Sequence, residues 1–117
     1  MTTTTLRILV TGGRDFSDLE LIWRTLYQFS GTEIALAHGD CRGADRLCAW
    51  YAKRRGWKPV PFPADWPKLG KRAGLVRNQR MLDEFKPDLL VAFPGGNGTA
   101  DMVARTRKAG VRIVEAA

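Results

Sequence analysis

The stretch DLLVAFPGGNGT, residues 88–99, decides the fold of this 117-residue chain. Its segment 89–93 is apolar without interruption, which is typical of a strand buried on both faces of a parallel sheet. Glycines follow, and from Thr99 apolar residues recur every three or four positions, which predicts a helix. A strand that ends in glycines and leads into a helix is a common phosphate site. The amides at a helix N-terminus lack internal partners and carry partial positive charge.

The glycines of this turn make a close approach of an anion feasible. Gly95, Gly96 and Gly98 have no Cβ atom that would hold a phosphate away from the backbone amides. Asn97 lies among them, and Thr99 either caps the helix or donates its hydroxyl to the same anion. The alternative is a turn whose glycines serve backbone geometry only. We favour anion binding, because such a run after a buried strand is uncommon.

Strands and helices alternate along the rest of the chain. The predicted strands are 6–11, 33–38, 58–62, 89–93 and 111–114, and the predicted helices are 19–27, 44–52, 75–85 and 99–109. Five residues of the first helix are predicted to pack into the core: Leu19, Ile22, Trp23, Leu26 and Tyr27. Residues 63–74, rich in proline, glycine and basic residues, are predicted as a long loop that serves as a lid.

The alternation predicts an α/β, Rossmann-like fold of three layers in one domain spanning 1–117. In a mostly parallel five-stranded sheet of order 3-2-1-4-5, the first and fourth strands flank the point where the order reverses. Ligands of such folds bind there, at the carboxyl ends of the strands. Glycine turns follow three of the strands: Gly12 and Gly13, Gly39 and Gly43, Gly95 and Gly96. The first and last of these turns are expected to face one crevice.

The basic composition bears on the choice of partner. The chain carries a formal net charge of +7, which makes nucleic acid a partner to consider. Many cations lie at the ends of predicted helices, where they complement the helix dipole. One cluster is not explained in this way: Lys68, Lys71, Arg72, Arg77 and Arg80. This placement favours a small anionic ligand over nucleic acid.

Other classes of protein fit the composition poorly. No segment approaches the roughly 20 apolar residues of a membrane span, and Met1 followed by four threonines shows no secretory signal. Cys41 and Cys48 lack the spacing and the neighbouring ligands of a zinc site. We expect a reduced cytoplasmic protein without membrane contact or metal, which needs no cofactor besides its ligand. Whether the protein forms a homo-oligomer is left open.

Four motifs in register resemble those of the SLOG superfamily, specifically its small YspA-like (YpsA-related) branch. They are TGGRDF at 11–16, HGDCRGAD at 38–45, RNxxM at 77–81 and FPGGNGTADM at 93–102. The resemblance covers nearly the whole chain. It implies a Rossmann-like domain that binds nucleotides or nucleotide-derived ligands, and other SLOG branches sense NAD-derived signals or bind DNA.

The chain also resembles the LOG phosphoribohydrolases of this superfamily, which cleave a base from a nucleoside monophosphate. Their signature is similar to an Arg-Lys-x-x-Met helix followed by PGGxGTxxE. Arg77 and Met81 match the first part, but Asn78 replaces the lysine. The glutamate of the second part falls on Met102, which cannot act as an acid or base, and the adjacent Asp101 points about 100° away around a helix. The departure argues against hydrolysis by the LOG route.

Several polar residues lie at the expected carboxyl ends of strands. Arg14 is interpreted as a clamp for a phosphate or carboxylate, with an ordinary surface arginine as the alternative. For Asp40, Arg42 and Asp45 two interpretations stand equal. Either a carboxylate accepts hydrogen bonds from ribose hydroxyls, or Asp40 caps the second helix and Arg42 pairs with Asp45. His38 is interpreted as a hydrogen-bonded core group rather than a general base.

The helix at 75–85 contributes a further pair. Asn78 lies on its apolar face, so its amide needs a partner, which is either the ligand or the backbone of a glycine turn. Arg77 points toward the same end of the sheet, and we assign both to the site. Trp66 either stacks on a nucleobase or pins the 63–74 loop to the domain. Cys41 is interpreted as structural rather than as a nucleophile.

The sequence therefore predicts a module that binds or senses a nucleotide or nucleotide-derived ligand, such as a nucleoside monophosphate, ADP-ribose or an NAD-derived molecule. One alternative is a hydrolase of nucleotide N-glycosidic bonds, for which Arg77 and Asp101 are the candidate catalytic residues, or Asp40 in place of Asp101. A second alternative is a nucleic-acid-binding protein that uses the basic cluster at 68–80. Whether any reaction is catalysed is left open.

Overall fold

The computed structural model describes residues 5–30 and 33–116; the predicted domain limits at 1 and 117 lie outside these ranges. Five strands form one parallel sheet: β1 (Thr5–Thr11), β2 (Glu33–His38), β3 (Lys58–Pro61), β4 (Leu89–Ala92) and β5 (Arg112–Glu115). The helices are α1 (Leu19–Leu26), α2 (Ala44–Arg54), α3 (Trp66–Leu69), α4 (Ala73–Arg80) and α5 (Asn97–Lys108). The strand order β3-β2-β1-β4-β5 confirms the predicted Rossmann-like sheet.

Alternate residues of the central strands form two cores, one on each face of the sheet. On one face, Ile8 and Val10 of β1 pack with side chains from α1 and α2. On the other face, Leu9 packs with Met81 and with Met102 of α5. Because side chains alternate along a strand, β1 contributes to both cores and is the central element of three layers. Within the described ranges, no helix combines the length and the apolar character needed to span a bilayer.

Residues 63–74 differ from the predicted loop. Asp65 caps α3 by accepting a hydrogen bond from the Lys68 amide at 3.2 Å, and Pro67 occupies the first turn, where a missing amide costs nothing. A 3-10 turn, Gly70–Arg72, then leads directly into α4. A π-helical turn, Met81–Phe85, continues α4. The segment is therefore structured by local capping that the abundance of proline and glycine had hidden.

The predicted core face of α1 is partly wrong. Ile22 and Leu26 are fully buried, but Leu19, Trp23 and Tyr27 are exposed. The helix has only eight residues and buries the stripe formed by Leu21, Ile22, Thr25 and Leu26. The indole of Trp23 contacts the ring of Tyr51 edge-on at 5.1 Å between centroids, so it covers the core from outside rather than filling it.

Candidate ligand-binding crevice

A crevice of about 840 Å³ opens at the carboxyl ends of β1 and β4, where the strand order reverses. The turns after these two strands meet there, because the Gly13 amide donates to the Pro94 carbonyl at 2.9 Å. The lining comes from residues 10–16, residues 94–99 and nine residues between these two turns: Cys41, Asp45, Trp66, Lys71, Gly74, Leu75, Arg77, Asn78 and Met81. The predicted convergence of two glycine turns on one crevice is confirmed.

The glycines of these turns serve two different purposes. A Cβ atom at Gly95 would collide with the Thr99 hydroxyl and would lie 2.6 Å from the Gly13 amide nitrogen. A Cβ atom at Gly12 would collide with that of Ala44. These glycines are required by the packing of the turns. Gly96 and Gly98 differ, because a Cβ atom at either position would have no neighbour within 4 Å.

The N-terminus of α5 has no side chain over it. Gly96 is the N-cap residue and makes no side-chain cap bond; Thr99 is the third helical residue and not the cap that the sequence had offered as one alternative. The first amide with an acceptor inside the helix is that of Ala100, which donates to the Gly96 carbonyl at 3.0 Å. The three preceding residues, 97–99, line the crevice. Their amides lack acceptors within the helix and suit an anion.

Asn78 fixes the position of this turn. Its side-chain nitrogen donates to the Gly98 carbonyl at 3.3 Å and to Asp101 Oδ2 at 3.0 Å, while its Oδ1 accepts from Arg77 Nε at 3.0 Å. The amide is buried, so these bonds are worth more than they would be in water. Of the two partners predicted for Asn78, the structure shows the glycine turn.

Arg77 joins α4 to the end of β2. Its Nη1 donates to the Gly39 carbonyl at 2.6 Å and reaches Cys41 Sγ at 3.8 Å. A Cβ atom at Gly39 would collide with the guanidinium and would lie 2.9 Å from Asp45 Oδ2. Gly39 is therefore a packing junction outside the lining, whereas Arg77 itself lines the crevice.

Asp45, in the first turn of α2, is a buried carboxyl group that lines the crevice. Its Oδ2 accepts hydrogen bonds from the amides of Gly39 at 3.1 Å and Cys41 at 3.4 Å. Burial raises the pKa of Asp45 from 3.8 to about 6, although the nearby Arg77 and the two backbone amides act in the opposite direction. A carboxyl group that titrates near neutral pH inside a crevice is a frequent mark of a functional site.

Asp40 and Arg42 lie outside the lining and make other contacts than expected. Asp40 has a left-handed backbone with φ of 57°, and its carboxylate lies 3.8 Å from Arg46. Arg42 lies 3.2 Å from the exposed carboxylate of Asp15 and not beside Asp45. The cap of α2 is Gly43, so the predicted cap at Asp40 is also wrong.

His38 is a buried core group, as the sequence indicated. Its Nδ1 accepts a hydrogen bond from the Asp40 amide at 3.0 Å. Burial lowers the pKa of His38, and the nearby Arg46 and Arg77 act in the same direction, while Asp40 opposes them. The ring is therefore neutral near pH 7 and serves to hold the turn that follows β2.

The structure places Asp101 outside the crevice lining. Its carboxylate accepts hydrogen bonds from Arg105 Nε at 2.8 Å and from the side-chain amide of Asn78. Asn78 also donates to the Gly98 carbonyl, so Asp101 helps to hold the glycine turn in place. Met102, at the position of the LOG glutamate, is fully buried in the core. The acidic residues that line the crevice are Asp15 and Asp45, neither of which lies on α5.

The predicted basic cluster does not form one surface. Lys71 and Arg77 line the crevice together with Arg14, and the Arg14 guanidinium lies 5.2 Å from the centroid of the Trp66 ring. Arg80 instead pairs with Glu84 at 2.8 Å on the same helix. The members of the cluster also occupy the last turns of three short helical segments, so helix ends account for more of it than the sequence suggested.

Sequence reasoning did not assign the lining residues Phe16, Leu75 and Met81 to the site, named Lys71 only as a member of the basic cluster, and left Asp45 undecided. An acidic residue in the first helical turn after a glycine turn is the signal that marked Asp45. Leu75 and Met81 reach the crevice because of how α4 and the π-helical turn after it pack, and Phe16 because of the turn after β1. Within residues 5–30 and 33–116, no three acidic, cysteine or histidine side chains come together as a metal site requires.

Fold and crevice define a Rossmann-like α/β protein with a crevice at the switch point of its sheet. The chain matches the YspA, cpYpsA-related SLOG family over residues 6–68, just over half of its length. It is also 33% identical over 118 residues to the gene 61 protein of Mycobacterium phage D29, and the match covers 92% of this chain and 94% of that one. The chain belongs to the YspA, cpYpsA-related SLOG family.

A comparison with solved structures gives a more remote likeness. The UDP-GlcNAc 2-epimerase of Methanocaldococcus jannaschii is 15% identical, with a TM-score of 0.45. The likeness covers 96% of this chain but only 31% of the epimerase, so the chain spans about a third of that protein.

Proposed function

We propose that the crevice binds a nucleotide or nucleotide-derived ligand, such as a nucleoside monophosphate, ADP-ribose or an NAD-derived molecule, and that the protein is a binding or sensing module. The observation that carries the proposal is the N-terminus of α5. It lines the crevice without a side-chain cap, and Gly96 and Gly98 leave open space beside its amides. A phosphate placed there accepts hydrogen bonds from those amides and lies at the positive end of the helix dipole.

Charge around the crevice supports an anionic ligand. Arg14, Lys71 and Arg77 all line it, and they come from three different parts of the chain. Cations converging on one concave site raise the local concentration of an anion and strengthen its hydrogen bonds. By contrast, Arg80 is paired with Glu84 outside the crevice. This division favours a compact anion over a nucleic-acid strand, which needs a continuous basic track.

Size and shape suit a molecule with a phosphate and a ring system. The crevice of about 840 Å³ falls within the ordinary range of small-molecule sites. Trp66 and Phe16 contribute aromatic surface to the lining. The Trp66 indole is half-exposed and stacks on the guanidinium of Arg14, so it can exchange this partner for a nucleobase.

Binding ranks above hydrolysis because the two carboxylates that the sequence offered in place of the missing glutamate lie outside the crevice lining. Asp101 is held by Arg105 and Asn78 outside the lining, and Asp40 lies beside Arg46, also outside it. Neither is placed to replace the missing glutamate. A general acid or base must come within hydrogen-bonding reach of the bond that it cleaves.

The proposal is tested by calorimetric titration of ADP-ribose and the four common ribonucleoside monophosphates into wild-type protein, Gly96→Asp and Gly98→Asp. An aspartate at either position puts a negative charge beside the phosphate, so affinity should fall by about tenfold or more. Gly98→Ala is the matched control, because it adds the same Cβ atom without the charge and should weaken binding far less. Circular dichroism confirms that each variant is folded. Unchanged affinity in the folded aspartate variants, or no binding by the wild type, would reject the proposal.

A further inference from the structure

Asp45 has one carboxylate oxygen that the fold does not use. The side chain is 6% exposed, and its Oδ2 accepts from the amides of Gly39 and Cys41. Among the described residues, no hydrogen bond reaches Oδ1, and no fully buried side-chain nitrogen or oxygen atom lacks a partner. Oδ1 is therefore the oxygen that keeps contact with solvent. Since Asp45 lines the crevice, that solvent is the crevice itself.

A buried carboxylate is a costly way to satisfy two backbone amides. An asparagine at this position would accept the same two hydrogen bonds through its own oxygen without carrying a charge. Within residues 5–30 and 33–116 the charge completes no ion pair of 4.0 Å or less, and the guanidinium of Arg77 acts on it only from a greater distance. The second oxygen of an ionised carboxylate is an acceptor only, so its natural partner is a hydrogen-bond donor on a ligand.

We propose that Asp45 accepts hydrogen bonds from the ribose hydroxyl groups of the ligand, so that the crevice selects ribonucleotides over deoxyribonucleotides. This assignment rests on the proposed function, because it takes the phosphate at the N-terminus of α5 as the fixed end of the ligand. Asp45 is then the residue that determines sugar specificity.

The topology supports placing the phosphate at the N-terminus of α5 and the ribose at Asp45. Asp45 follows β2 and the N-terminus of α5 follows β4, and these two strands lie on either side of β1. The strands β2 and β4 are therefore two strand spacings apart, roughly 10 Å. The negative Asp45 repels the phosphate and attracts a neutral donor. The ribose is bonded directly to the phosphate, so its hydroxyls come within reach of Oδ1 while the base lies farther along.

Asp15, the other acidic residue of the lining, is a weaker candidate. Its side chain is almost fully exposed, and its carboxylate is shared with Arg42. An exposed carboxylate remains hydrated, so a hydrogen bond to it discriminates little between ligands. Asp45 is held in one position by two amides and is shielded from bulk water, which is the arrangement that makes the loss of one hydroxyl costly.

The test compares one nucleoside monophosphate, the tightest binder among the four bases, with its 2′-deoxy and 3′-deoxy forms by calorimetry. Wild-type protein should bind at least one deoxy form about tenfold or more weakly than the ribonucleotide, as expected for loss of a bond to a charged acceptor. Asp45→Asn should reduce this ratio to about threefold or less. Asp83→Asn, which removes a carboxylate on the π-helical turn outside the lining, should retain the wild-type ratio.

The outcomes separate this assignment from the proposed function. If wild-type protein binds the ribonucleotide and both deoxy forms equally well, the assignment fails while the phosphate site stands. The same holds if Asp45→Asn keeps the full wild-type ratio. If the wild-type protein binds ADP-ribose but none of the nucleoside monophosphates, the assignment fails while the proposed function stands. If it binds neither, both fail. The comparison within the wild type needs no variant, so misfolding of Asp45→Asn would not remove the test.

Discussion

The turns after β2 and β4 are both rich in glycine and both lead into a helix, but they differ in whether the fold supplies an anion to their amides. After β2, the amides of Gly39 and Cys41 donate to Asp45, so the protein supplies its own carboxylate. After β4, the N-cap Gly96 has no side chain to supply one, and the space beside Gly96 and Gly98 is open. Glycine content alone therefore does not identify a phosphate site. The informative feature is whether a side chain already fills it.

The packing around the two turns shows the same difference. Gly39 and Gly95 are glycines because neighbouring atoms occupy the place of a side chain, whereas Gly96 and Gly98 have room for one. A glycine that the packing does not require, at an uncapped helix N-terminus in a crevice, is better explained by a ligand. The predictions below alter one turn or the other and ask whether the distinction holds.

The largest effect is expected for Gly95→Ala. Its methyl group would collide with Thr99 and lie 2.6 Å from the backbone nitrogen of Gly13, which cannot move without shifting β1. The free energy of unfolding should fall by about 3 kcal/mol. Gly98→Ala adds the same methyl group in open space within the first turn of α5, and it should be neutral or slightly stabilising. Urea unfolding of both variants measures the difference. Equal losses would show that the two classes of glycine are not distinct.

The sequence was sufficient for the sheet because burial and turn chemistry agreed along it. The run 89–93 had to be a central strand, and the glycines at 12–13 and 95–96 had to end the two strands at the switch point. The sequence was insufficient for residues 63–74, where the N-cap at Asp65 starts a helix although the prolines had favoured a loop. The sequence also could not predict the side-chain partners in the turn after β2. There the left-handed backbone of Asp40 and Gly43 decides where Arg42 and Asp45 point, and no periodicity encodes those angles.

The second prediction concerns the internal anion of the β2 turn. The pKa of Asp45 is about 6 in the folded protein and 3.8 for the free group, so the folded state holds this proton more tightly than the unfolded state. The stability that this provides is complete below about pH 4 and is lost as the pH rises through 6. Asp45→Asn cannot lose a proton and keeps an acceptor for Gly39 and Cys41. At pH 7.5 it should be more stable than the wild type by about 2 kcal/mol.

The measurement is urea unfolding of wild type and Asp45→Asn between pH 4 and pH 7.5. The titration of groups that are common to both proteins, His38 among them, largely cancels in the difference. The advantage of the variant should grow with pH and level off above 6. A difference that does not change with pH, or a variant that is less stable at pH 7.5, would show that the buried charge carries no cost. The argument that Asp45 is kept for a ligand would then be weakened.

The smallest effect is expected when the β4 turn is made to resemble the β2 turn. Gly96→Asp places a carboxylate at the N-cap of α5, where it can accept from the amides of the first turn as Asp45 does for Gly39 and Cys41. The φ of Gly96, −99°, lies outside the left-handed region that favours glycine. The variant should gain about 0.5 kcal/mol, or about 2 °C in melting temperature, because its charge also complements the helix dipole. High salt should reduce the gain by screening that charge.

A Gly96→Asp variant that is less stable than the wild type would mean that the space beside Gly96 cannot hold a side chain. The contrast between the two turns would then lose its basis. A gain in stability together with the loss of nucleotide binding would show that one internal carboxylate can take the place assigned to the phosphate.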